Sequence, residues 1–144
     1  GQGVVDPKEA PALVREIAAK LTGLADSATG EEAIRRAYPK GEIYSGPYTA
    51  VAPDVVVGYA EGYRASWSTT TGKVGRELFE DNRKAWSGDH CIDPPLIPGV
   101  LFCNRAFDAA DPGIEDLGPT CLDLFGLTPP AFMDGRPVGV ASGR

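Results

Sequence analysis

The chain has 144 residues, with 20 acidic against 14 basic side chains and a formal charge of −6, so its length bounds it to about one domain. Its basic residues are scattered, which argues against a nucleic-acid binder working through a phosphate-neutralising patch. No apolar run approaches the ~18 residues of a membrane span, and the start, Gly1-Gln2-Gly3-Val4-Val5-Asp6, lacks the form of a signal peptide, so a cytoplasmic protein without a membrane role is expected.

Eighteen Gly and 13 Pro exceed the roughly ten and seven that average usage would place in this length. They predict many loops around a thin core, and a chain that is one part of a larger fold. The first helix is expected over residues 7–22. Asp6 is its N-cap, Pro7 stands at the first helical position, and Glu9 completes a capping-box spacing. Ala10, Leu13, Val14, Ile17, Ala18 and Leu21 then form one apolar stripe, and Gly23 ends it. Residues 26–30 read as a turn, whereas 33–38 fit a short strand and a helix end equally well. Residues 41–53 read as an irregular surface segment. The three valines of Asp54-Val55-Val56-Val57-Gly58-Tyr59 predict a strand covered on both faces, as in a parallel sheet. Tyr63-Arg64-Ala65-Ser66-Trp67 alternates like a half-exposed strand, and 68–76 like a loop. A second buried strand is expected over 100–103. Asp111 then caps a helix over 114–125 in which Ile114, Leu117, Cys121, Leu122 and Phe125 share a face, with Gly126 ending it.

From Ala85 to Asp134 Arg105 is the lone base among eight acids, most of which suit a solvated face. Asp134 fits a turn in Met133-Asp134-Gly135-Arg136. The chemically distinct stretch is Trp86-Ser87-Gly88-Asp89-His90-Cys91-Ile92-Asp93-Pro94-Pro95, which holds the single histidine of the chain between two aspartates and beside a cysteine. All three are metal-ligand types. Adjacent side chains seldom converge on one ion, so His90 would need ligands from elsewhere. For the same reason Cys91 and His90 make a poor thiol–base pair. Cys91, Cys103 and Cys121 have no CxxC spacing and are expected to be reduced, mostly buried thiols.

The run Ala52-Pro53-Asp54-Val55-Val56-Val57-Gly58-Tyr59 with Gly62-Tyr63-Arg64-Ala65-Ser66-Trp67 resembles the C-terminal third of the alkaline phosphatase superfamily, in its type I phosphodiesterase/nucleotide pyrophosphatase-like branch. Trp86-Ser87-Gly88-Asp89-His90, Pro98-Gly99-Val100-Leu101-Phe102 and Asn104-Arg105 are similar to the segment carrying that fold's last metal-binding histidine. Residues 114–126 resemble the helix that follows, and Met133-Asp134-Gly135-Arg136-Pro137 the closing motif.

The resemblance implies a few-stranded α/β sheet covered by helices, the loop-rich C-terminal part of an α/β/α core. On that expectation residues 1–144 form one partial domain: a helix in 1–25, strand and loop in 26–84, metal loop, strand and helix in 85–138, and a tail in 139–144. It implies a hydrolase of phosphoric esters in which two divalent ions, usually zinc, flank a Thr or Ser nucleophile. His90 would be a neutral imidazole ligand of one ion, with Asp89 either orienting it or staying solvated. The family's nucleophile and its other ligands have no counterpart among these residues. Thr69, Thr70 and Thr71 lie in a polar loop and Thr120 in a predicted helix, so all four are poor nucleophile candidates. The expected partner is a phosphoester substrate of the complete enzyme, with these residues inactive by themselves. A free-standing interaction or ligand-binding module built on the same scaffold is the alternative. An unpaired strand edge would favour self-association.

Overall fold

The computed structural model describes residues 3–86, 88 and 90–140, the last by its backbone only. The chain divides into two compact units, one ending at Pro98 and the other beginning at Gly99.

The first unit is built on a three-stranded antiparallel sheet. Helix α1, Ala10–Leu21, leads into β1, Leu24–Ala25; β2, Glu32–Pro39, runs between β1 and β3, Val55–Tyr59. Asp6 starts the helical path as its sequence suggests: its side chain accepts from the Lys8 N–H at 2.8 Å and its carbonyl from those of Glu9 and Ala10. Regular α-helix begins only at Ala10, after a turn over 7–9. The helix packs on β2, where Ala18 is buried with Ala33, Ile34 and Ala37. Its end is tied down twice. Gly23, at a φ of +75° that a side chain would resist, donates its N–H to Ile34. The Thr22 hydroxyl donates to the Ala18 carbonyl and accepts from the Ala37 N–H at 3.1 Å. The stripe is only partly used, because Leu13 and Ile17 remain more than a third exposed.

The segment 33–38, ambiguous in sequence, is the central strand. The valines of β3 are half-buried rather than covered on both faces, and they pair antiparallel to β2 rather than in a parallel sheet. The hairpin carrying them is closed by short α2, Lys40–Ile43, by the Lys40 N–H on the Asp54 carbonyl and by a 3.0 Å ion pair between the same side chains. Residues 63–66 form no strand. They are followed by a 3₁₀ turn, Trp67–Thr71, in which the Ser66 side chain accepts from the Ser68 N–H.

The second unit holds β4, Phe107–Asp108, paired antiparallel with β5, Gly139–Val140, and helix α3, Leu117–Leu124, entered through a 3₁₀ turn, Ile114–Asp116. The strand expected over 100–103 is absent. A hydrophobic run becomes a strand only when a neighbouring ladder takes its amides, and none does so here among the described residues; Val100 and Phe102 are 83% and 91% exposed. Helix α3 ends at Gly126, φ +69°, with the Leu127 N–H returning to the Leu122 carbonyl at 2.9 Å. Its orientation is the reverse of the expected one. Pro119 and Thr120 are buried, whereas Ile114, Leu117, Cys121 and Phe125 face outward. Polar bonding decides this: Thr120 donates to the Asp116 carbonyl at 2.6 Å and accepts from the Val138 N–H at 2.8 Å, drawing that face inward. The cap is not Asp111 but Asp116, whose carboxylate accepts from the Gly113 N–H.

Among the described residues no helix is long and apolar enough to cross a membrane.

Candidate functional site

His90 lies in a loop whose downstream end is fastened to the sheet. Tyr59, the last residue of β3, forms an isolated parallel bridge with Ile92, and the Asp93 N–H donates to the Tyr59 carbonyl at 2.9 Å. The Asp93 side chain then turns into the sheet and is only 4% exposed. A carboxylate at that depth must be hydrogen-bonded or paired. Tyr38 donates its hydroxyl to Oδ1 at 2.6 Å, a short charge-assisted bond, and the Arg35 Nε lies 3.5 Å from Oδ2.

Two local irregularities make room for this clamp. Between β2 and β3 the register slips, Ile34 facing Tyr59 and Arg36 facing Gly58, so Arg35 is the extra residue of a bulge. Bulges re-aim side chains, and this one brings Arg35 to the carboxylate that Tyr38 reaches. Gly58 supplies the space. A Cβ there would come within 2.8 Å of the Asp93 Cγ and 3.0 Å of its Cβ, closer than non-bonded carbons tolerate. The clamp also acts on Tyr38. Donation to the Asp93 carboxylate, then burial, holds its hydroxyl above the usual tyrosine range. The Arg36 guanidinium covers the Tyr38 ring at 4.8 Å.

The upstream end of the loop is held separately. Arg64 donates from Nη1 to the Gly88 carbonyl at 2.9 Å while its guanidinium lies 5.1 Å over the Trp67 ring. His90 therefore sits between two anchored points, exposed to solvent, with Cys91 exposed beside it. Asp89, for which the resemblance left an orienting or a solvated role open, lies outside the described residues. Cys103 and Cys121 are exposed as well, so the expectation of mostly buried thiols fails: the segments that carry them leave their apolar side chains outward.

Among the described residues, no three His, Cys, Asp or Glu side chains come together as metal ligands. Asp93, the acid nearest His90 in sequence among them, is engaged by Tyr38 and Arg35 within the sheet. The described residues therefore do not fit a complete metal centre. The 99–140 unit offers instead a pocket of about 440 Å³ lined by Asp108, Asp111, Asp116 and Arg136. Its Asp116 is committed to backbone: Oδ1 accepts from the Arg136 N–H and Oδ2 from that of Gly113, which lowers its pKa.

Arg35, Tyr38 and Arg64 carry no signal of their own in sequence. Gly58 does, because a glycine closing a run of valines in a strand marks a close approach. Comparison with family models, with curated proteins and with solved structures returned no match to this chain.

Proposed function

We propose that this chain contributes His90 as one metal-binding residue of a metal-dependent phosphoric-ester hydrolase, of the phosphodiesterase/nucleotide pyrophosphatase-like branch of the alkaline phosphatase superfamily. The observation that supports this reading is a surface loop carrying the single histidine and fastened on both sides of it. A loop with a merely solvating role needs no buried carboxylate to hold it. The metals, zinc by the family resemblance, would take their remaining ligands, and the reaction its nucleophile, from outside these 144 residues, which are expected to be inactive alone. The helices and sheet described above would then be the C-terminal share of that family's α/β/α core. Leu13 and Ile17 on α1, each more than a third exposed, suit such an arrangement, since a covering element would bury the rest of their apolar surface.

The test uses the protein encoded by the complete reading frame that contains this chain. His90→Ala is expected to lower hydrolysis of bis(p-nitrophenyl) phosphate by at least about 100-fold, beyond the 10–100-fold typical of losing an outer-shell partner, with an unchanged circular dichroism spectrum. Unchanged turnover and bound metal would overturn the reading. The alternative, an interaction module without catalysis, draws support from Phe102, Phe125 and Phe132, each more than 80% exposed. It predicts cooperative melting of the 144-residue chain at a temperature that ignores added zinc.

A further inference from the structure

We infer that Arg64 and Asp93 are a pair of positioning residues that hold the His90 loop by its two ends, presenting the imidazole in a restricted place before any ligand arrives. The inference rests on the proposed role of His90 for its purpose; its geometry stands independently.

The hydrogen bonds and ion pair described for the two anchors involve different partners. Upstream, the Arg64 side chain is braced by Trp67 and by a 3.4 Å bond from Nε to the Ala65 carbonyl, and its Nη1 takes the Gly88 carbonyl. A planar guanidinium suits this task because one group can stack and donate at once, which an ammonium does less well. Downstream, the Asp93 main chain is joined to Tyr59, and its side chain to Tyr38 and Arg35. The Asp93 carbonyl accepts from the Leu96 N–H at 2.9 Å, opening the 3₁₀ turn Pro94–Leu96 and carrying the anchored stretch onward. Only Asp89 to Ile92 separate the two anchors, and Ile92 is itself bridged to Tyr59. Five residue steps extend at most about 18 Å. Held at both ends, so short a segment confines His90, and a ligand-bearing loop gains affinity when its ordering is completed before binding.

His90 is the sole histidine of the chain, so its ring gives one Hε1–Cε1 resonance, a single-site reporter. The experiment compares that resonance and the amide exchange of the 144-residue chain with those of Tyr38→Phe, Arg64→Met and the double variant. Tyr38→Phe is expected to speed exchange of the Asp93 N–H about tenfold or more, since it deletes a bond to a charged group. Each variant is expected to move the ring resonance toward that of a short unstructured peptide. The double variant should show close to the summed effect, because the contacts described at the two anchors involve different partners. Arg64→Lys should restore the resonance only in part. Throughout, the amides of the β2–β3 ladder should keep their protection within about twofold. Unmoved ring resonances in both single variants would overturn the inference. So would ladder protection falling in step with the loop, since Arg64 and Asp93 would then be fold residues only. Failure of either kind alongside a His90→Ala variant that has lost hydrolysis leaves the hydrolase reading standing. Moved resonances alongside a fully active His90→Ala variant leave the positioning role standing and remove the hydrolase reading.

Discussion

Asp93 and Asp116 belong to the same acidic stretch and are used in opposite ways. Asp93 is gripped by side chains more than fifty positions away in sequence, Tyr38 and Arg35, and needs a glycine in a third strand to make room. Asp116 is served by main-chain N–H groups of its own unit, Gly113 three residues before it and Arg136 in the closing turn. The first arrangement ties a chemistry-bearing loop to a sheet. The second closes a helix and a turn upon each other. A buried acid held by remote side chains invites a functional explanation; one held by nearby amides is explained as a cap.

The largest effect is expected at Gly135. A Cβ there would run into the main chain of Glu115 and come within 2.8 Å of the Asp116 N. Backbone cannot yield as a flexible side chain does, so Gly135→Ala should destabilise the 99–140 unit by about 3 kcal/mol, the upper range for overpacking. Calorimetry should show its transition lost or strongly lowered. If that unit melts unchanged, the Asp116 hub is not what holds it.

Next comes the other side of the comparison. Asp93→Ala removes the acceptor of Tyr38 and the partner of Arg35, and should cost about 2–3 kcal/mol, the scale for a bond to a buried charged group. In a unit of this size that is a fall of at least ~8 °C in Tm. Gly58→Ala should reproduce a part of it, about 1–2 kcal/mol, by displacing the same carboxylate. Equal melting of Gly58→Ala and the parent chain would show that the carboxylate has room to move and that the clamp is loose.

These contrasts also show what was legible in advance. Helix α1 was readable because its cap, its stripe and its terminating Gly23 all lie within eighteen residues. The C-terminal end of α3, at Gly126, was readable for the same local reason, but its start and its orientation were not. Thr120 is turned inward by Val138, and no periodicity within the helix reports a bond to the segment before β5. Central β2 stayed ambiguous between strand and helix end because the bulge at Arg35 breaks the alternation on which strand recognition relies. The His90 loop stands out in sequence as the chemically unusual stretch, while the side chains that anchor it do not. Their partnership exists only once β2 and β3 have paired.

The smallest expected effects are the two pH limbs, and they fall at opposite ends of the scale. Tyr38 is held above its ordinary pKa by its bond to Asp93. Its contribution is therefore complete below about pH 10, the unfolded value, and is lost as pH rises through the higher folded value. Asp116 is held below its ordinary pKa by the Arg136 and Gly113 N–H groups. Its contribution is present above about pH 4 and is lost as pH falls through the lower folded value. Stability measured separately on the two transitions should thus weaken at high pH in the first unit and at low pH in the second. Tyr38→Phe should flatten the alkaline limb alone, and Asp116→Asn the acid limb alone. Crossed effects, with either substitution altering the other limb, would mean that the two aspartates are coupled and that their contrast is one of degree. Effects confined to their own units would separate the remote clamp from the local cap by a measurement that owes nothing to catalysis.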